Sequence, residues 1–145
     1  MRTRYLAGDI VTRRKGLVMH KGVSLGGGRI LHNTPFRGEH VCTEEEFAAG
    51  HRLYATNRSA DERRRTLGRL GAWQPGRNYD LFSNNCEHTV TRHVHGTAHS
   101  PQLIGWAAAL LAGAATLAIT RSPTAAAASV VAAKSFAQRA IKSLR

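Results

Sequence analysis

Apolar positions in the first hundred residues come in short bursts between turn formers; after that they merge into an alanine-rich run. "DIVT" (Asp9–Thr12) and "GLVMHKGVSL" (Gly16–Leu25) read as β segments. Gly26–Gly28 supplies a tight turn into "RILHNTP", which predicts a hairpin of Gly22–Leu25 with Arg29–Asn33. "TEEEFAAG" predicts a short helix, with Thr43 and Glu46 as a capping box and Gly50 as its stop. "HRLYAT" reads as another strand. "SADERRRTLGRLG" repeats the box with Ser59 and Glu62, and Gly71 ends that helix. After a loop around Pro75–Gly76, Asn84 or Asn85 caps a helix from Cys86 to Val94, stopped by Gly96.

From Ser100 to Thr120 the pattern is apolar on all sides and carries no charge, and Pro101 suits a first helical position. About 20 apolar residues cross a bilayer, and Trp106 and Arg121 sit where interface anchors belong. Packing on the domain or on a second subunit is the competing reading; membrane association through residues 103–120 is the expectation. The chain thus divides into a domain over 1–100, a hydrophobic helix over 101–120 and an alanine-rich basic helix over 121–145. The fold class is α+β: a small antiparallel sheet with packed helices, plus a hydrophobic C-terminal helical tail.

Charge narrows the partners. The net charge is +12; residues 1–100 hold sixteen Lys/Arg and all nine acids, and from Arg121 onward there are five basic residues and no acid. An anionic membrane surface fits this excess. Nucleic acid is the weaker expectation, because aromatic residues are few and no helix-turn-helix, zinc-finger or RNP-like pattern accompanies the basic residues. Two cysteines make a disulfide framework improbable and no secretory signal opens the sequence, so an intracellular, reducing setting is expected.

A free thiol then becomes available for chemistry. Cys86 lies in "LFSNNCEHTVTRHVHG", at the start of the expected helix, where unpaired N–H groups and the helix dipole favour a thiolate. A cysteine nucleophile needs a base and a group that orients the base. His20 and His32 stand on the two expected strands, twelve residues apart, and can share one sheet face. A helix start bearing Cys86 packed against that face would complete a Cys–His–His arrangement. On composition alone Cys86 would be a small buried residue and each histidine an ordinary strand residue; the combination points to catalysis. Cys42 has no such context and reads as structural. Asn85, Glu87 and His88 read as support for the helix start. His93, His95 and His99 read as exposed, and "RRK" (Arg13–Lys15) and "RRR" (Arg63–Arg65) as solvated faces able to touch lipid headgroups. No paired CxxC…HxxxH spacing occurs, so neither metal nor another cofactor is expected.

"NNCEH" (Asn84–His88) preceded by Tyr79, together with "GDIV…HKGVSLGGGRILHNTP", resembles the lecithin:retinol acyltransferase family. "EEEFAAG", Leu67–Gly68 and Ser100–Gln102 resemble its bacterial members, and the similarity covers roughly residues 6–103. The resemblance implies a circularly permuted papain-like fold of the NlpC type. It also implies an acyl thioester on Cys86, with His20 as base and His32 orienting it, a phospholipid or other acyl donor, and a hydrophobic C-terminal anchor. Thr89 stands where an aromatic residue often follows the motif, and Val18 stands where some animal members carry a tyrosine proposed as oxyanion donor. The expected function is lipid acyl transfer or phospholipase-type hydrolysis. The alternatives are an NlpC-type cysteine peptidase or amidase, and a non-catalytic membrane-attached binding module.

Overall fold

The computed structural model of the chain describes residues 5–73, 75, 77–81 and 84–143, the last three as backbone alone. Gly76 of the expected loop, the Lys142 side chain and Arg145 lie outside the described residues. The protein is α+β, with a five-stranded antiparallel sheet and, among the described residues, five helices. It forms two compact units, Met1–His99 and Ser100–Arg145.

In the first unit the strands are β1 (Ile10–Lys15), β2 (Val18–Gly26), β3 (Arg29–Thr34), β4 (Gly38–Thr43) and β5 (Leu53–Thr56), in the order β4-β3-β2-β1-β5. The helices are α1 (Glu44–Ala48), α2 (Ala60–Leu70) and α3 (Cys86–His95). The β2–β3 hairpin turns on Gly27 and Gly28, both at positive φ (58° and 72°), as a two-residue primed turn demands. Both expected capping boxes form, at Thr43/Glu46 and Ser59/Glu62. The stop of α1 comes one residue earlier than expected, at Ala49 (φ 45°), with Gly50 (φ 76°) continuing the reversal. Gly71 follows α2 in right-handed geometry, so its glycine is not used for a left-handed cap.

Two apolar layers sandwich the sheet. Val11, Ile30 and Cys42 face Tyr5, Phe47 and Leu53 on one side. Ile10 and Val23 face Val90 and Val94 of α3 and Leu70 of α2 on the other. Side chains alternate along a strand and directly paired residues share a face, so the pairings Arg13↔His20, Gly22↔His32 and His32↔His40 put all three histidines on the Phe47 side. Strand β4 was not expected from the sequence.

The second unit consists of α4 (Pro101–Thr120) and α5 (Pro123–Ser143). A Cβ on Gly113 would come 2.4 Å from Val130 Cγ2, so the backbones approach closely there. Thr116 Oγ1 donates to Ser129 Oγ at 2.8 Å, and the Lys134 ammonium stands 3.6 Å from the Trp106 ring centroid. These partners run in opposite chain directions, so the helices form an antiparallel hairpin. Its turn is Arg121, left-handed at φ 54°, and Ser122. By length and composition α4 is able to cross a membrane, with mean hydropathy 1.9; a soluble core helix passes the same test. Its Gly105, Ala109 and Gly113 are buried, whereas Leu110, Leu111, Leu117 and Ile119 are exposed.

Candidate active site

Asn85, not Asn84, caps α3. Its Oδ1 accepts the N–H groups of Glu87 (2.8 Å) and His88 (3.1 Å), and its Nδ2 donates to Leu81 O at 2.8 Å. His88 completes the box by accepting the Asn85 N–H on Nδ1. Asn84 binds the sheet instead: its carbonyl accepts Asn33 Nδ2 at 2.7 Å and its Oδ1 accepts Arg92 Nη2 at 2.9 Å. Cys86 is therefore the first helical residue, as expected.

The position of its sulfur follows from the strands. Along β2 the backbone groups point alternately to the two neighbouring strands. Ser24 N–H bonds Asp9 O, on the β1 side, so Lys21 N–H points toward β3. The β2–β3 ladder stops at Gly22↔His32, however. Beyond that pair the strands part, and the Cys86 sulfur takes the Lys21 N–H. With Asn84 fastened to Asn33, the start of α3 fills this split. An ion pair between Lys21 Nζ and the buried Glu87 carboxylate clamps it to β2.

This corrects one expectation. The body of α3 packs against the face opposite the histidines, because Val90 and Val94 find their apolar partners in Ile10 and Val23. Glu87, Val90 and Val94 meet β2 from that opposite face, and the first residue of the helix enters the split, where its sulfur meets the backbone of Lys21, next to His20.

His20 Nε2 and His32 Nδ1 are 2.9 Å apart, with the rings edge to face. His20 stacks on Phe47 at 5.3 Å and 27°, and His32 meets the same ring edge-on. Unforeseen from the sequence, His40 stands 4.3 Å from His32 by ring centroids, oriented by donating Nδ1–H to Gly38 O at 2.9 Å. Burial, with nearby Arg13 and Lys15, lowers the His20 pKa to about 4. Burial, with His20, His40, Arg13 and Arg37, lowers that of His32 to about 3. Burial also raises the Cys86 pKa, although the Lys21 N–H and the Lys21 and Lys15 charges pull the other way. The helix start was expected to favour a thiolate; desolvation outweighs it, and the resting pair is a neutral thiol beside neutral imidazoles.

A second network, also unforeseen, fixes the motif loop. Glu39 is fully buried in β4 and accepts Trp73 Nε1 (3.0 Å), Thr89 Oγ1 (2.9 Å) and Arg92 Nη1. Thr89, the departure from the aromatic residue, is thus a buried link from α3 to both Glu39 and Asn33. His93, expected to be exposed, is buried: α2 covers this end of α3, with Arg69 Nη1 donating to the carbonyls of His93 and Val94. His95 is exposed and His99 half-buried. A cleft of about 640 Å³ opens at this far end, lined by Glu39, Arg69, Trp73, Arg92 and His93, and does not include Cys86, His20 or His32. Among the described residues no group of three His, Cys, Asp or Glu side chains is placed to hold a metal ion. No protein-family model matches the chain, and no curated protein matches it.

Proposed function

We propose that the chain is a thiol-dependent lipid acyltransferase or phospholipase-type acyl hydrolase, of the permuted papain-like kind, working through an acyl thioester on Cys86. The observation that carries this reading is the insertion of the Cys86 helix start into the β2–β3 split, beside the strand whose His20 is bonded to His32 at 2.9 Å.

In the first step the Cys86 sulfur attacks the ester carbonyl of the acyl donor. The S–C bond forms, the thiol proton passes to His20, and the carbonyl oxygen becomes an oxyanion. With thiol and imidazole both neutral at rest, His20 acts as a general base during attack rather than as half of a standing ion pair. His32 holds the other His20 nitrogen and fixes its tautomer. Attack takes the sulfur off the Lys21 N–H, which then stands free, with the Cys86 N–H, to donate to the oxyanion; this takes the place of a side-chain donor at Val18. Collapse breaks the ester C–O bond, and the leaving alkoxide recovers the proton from His20. Water or a second alcohol or amine, deprotonated by His20, then releases the acyl group and restores the thiol.

The protein is further read as intracellular and attached through α4 to an anionic membrane, where Arg121, Lys134 and Arg139 add about 1 kcal/mol each if they reach the surface. The test is intact-protein mass spectrometry after incubation with phospholipid vesicles. A fatty-acyl mass released by hydroxylamine is expected on the wild type and on Cys42→Ser, and absent from Cys86→Ser. Cleavage of peptide bonds in place of acylation would establish the peptidase alternative. A stably bound partner with neither reaction would leave a binding module.

A further inference from the structure

The two hairpin tips at one end of the sheet carry apolar side chains that are exposed among the described residues. In the order β4-β3-β2-β1, the β1–β2 turn at Gly16–Leu17 and the β3–β4 turn at Pro35–Arg37 lie at the same end. Leu17 is 83 % exposed, Val18 42 % and Phe36 99 %. That is also the end where β2 and β3 part around Cys86, so one tip stands on each side of the split.

Charge singles out the same end. No acid occurs between residues 10 and 38, while Arg14 and Lys15 flank one tip and Arg37 sits on the other, all exposed. The field of these cations reaches the site: Lys15 acts on both His20 and Cys86, and Arg37 on His32.

We propose that the tips Gly16–Val18 and Pro35–Arg37 dock the first unit on an anionic phospholipid surface, Leu17 and Phe36 entering among the acyl chains and Arg14, Lys15 and Arg37 meeting the phosphates. The inference rests on the acyl-lipid reading above and adds to it a membrane contact independent of α4, one that turns the mouth of the split toward the donor lipid. A second copy of the chain is a poor occupant, because a symmetric contact would set these cations against each other. Two separate apolar points ringed by positive charge suit a fluid anionic layer, which moulds around them.

The test uses the full chain carrying Cys86→Ser, so that no chemistry intervenes, with Phe36 replaced by p-cyanophenylalanine. Mixed phosphatidylcholine–phosphatidylserine vesicles are expected to move the nitrile stretch from its hydrated to its dehydrated frequency. Adding Leu17→Ser should raise the lipid concentration at half-change about tenfold, and Lys15→Gln about fivefold. Pure phosphatidylcholine or high salt should weaken the change. A nitrile that stays hydrated while the chain sediments with the vesicles would overturn the docking. So would dehydration on raising the protein concentration without lipid, which would reveal self-association, or a change indifferent to lipid charge and salt. Loss of the thioester in the earlier experiment, with the nitrile shift intact, would remove the catalytic reading and leave the docking; the reverse outcome would do the opposite.

Discussion

His20 and His32 are kept uncharged by burial, and this couples the site to acid stability. Free in the unfolded chain each would titrate near 6.5; folded, they titrate at about 4 and about 3. Between those values the unfolded chain binds more protons, so stability is greatest above 6.5 and falls as pH drops toward the folded values. The depressed carboxylates Glu46 and Glu62 start from 4.5 and act only lower. Urea titrations are therefore expected to show a falling midpoint already between about pH 6.5 and pH 5, shallower in His32→Gln. Under the acyl-thioester reading proposed above, the same pair separates by role: His20→Ala removes the proton acceptor and should nearly abolish thioester formation, whereas His32→Gln keeps a hydrogen-bonding group and should leave measurable activity. Single-turnover acylation rates check this. The helix start at Cys86, its cap narrowed to Asn84 or Asn85, and the strand positions of His20 and His32 were legible in the sequence because a helix cap and a strand position are local properties. His40 and the Lys21 N–H were not, since both act through the alignment of strands.

Among the elements, β4 is hidden in the sequence because "GEHVCT" places a charge, Glu39, where a buried strand residue should be apolar. That charge is tolerable only because Arg92, 53 residues later, neutralises it. Glu39→Ala would leave the Arg92 guanidinium without its buried counterion and should cost about 3–5 kcal/mol, read from chemical denaturation; Glu39→Gln should cost less. Gly22 makes a second element-level demand. A Cβ there would lie 2.6 Å from Ile30 Cγ2 and 2.8 Å from Leu31 O, and the carbonyl belongs to the neighbouring strand's backbone. Gly22→Ala is expected to destabilise by about 1–3 kcal/mol through overpacking and to slow acylation, since the split begins at this pair. The sheet face that α3 takes differs from the expectation for a related reason: Val90 and Val94 identify an apolar stripe on the helix, but which sheet face receives it depends on the whole register.

For the whole molecule, the absence of charge from Ser100 to Thr120 made α4 readable, whereas its pairing with α5 rests on close approach at Gly113 and had no comparable signal. Residues 100–122 fused to a soluble reporter are expected to float with liposomes in low and high salt. A reporter that remains at the bottom would mean that α4 serves as a packing helix.

The antiparallel register of the hairpin also sets a length. Lys134 lies level with Trp106, and Arg121 caps the other end. Fifteen residues separate Trp106 from Arg121, roughly 22 Å of helix, against about 30 Å of hydrocarbon in a typical bilayer. Placed in a membrane with Trp106 and Lys134 at one interface and Arg121 at the other, the stretch between these anchors is shorter than the layer, so a thick bilayer has to thin around it. Vesicles of short-chain phospholipids should accordingly retain the protein more strongly than long-chain vesicles of the same headgroup and charge.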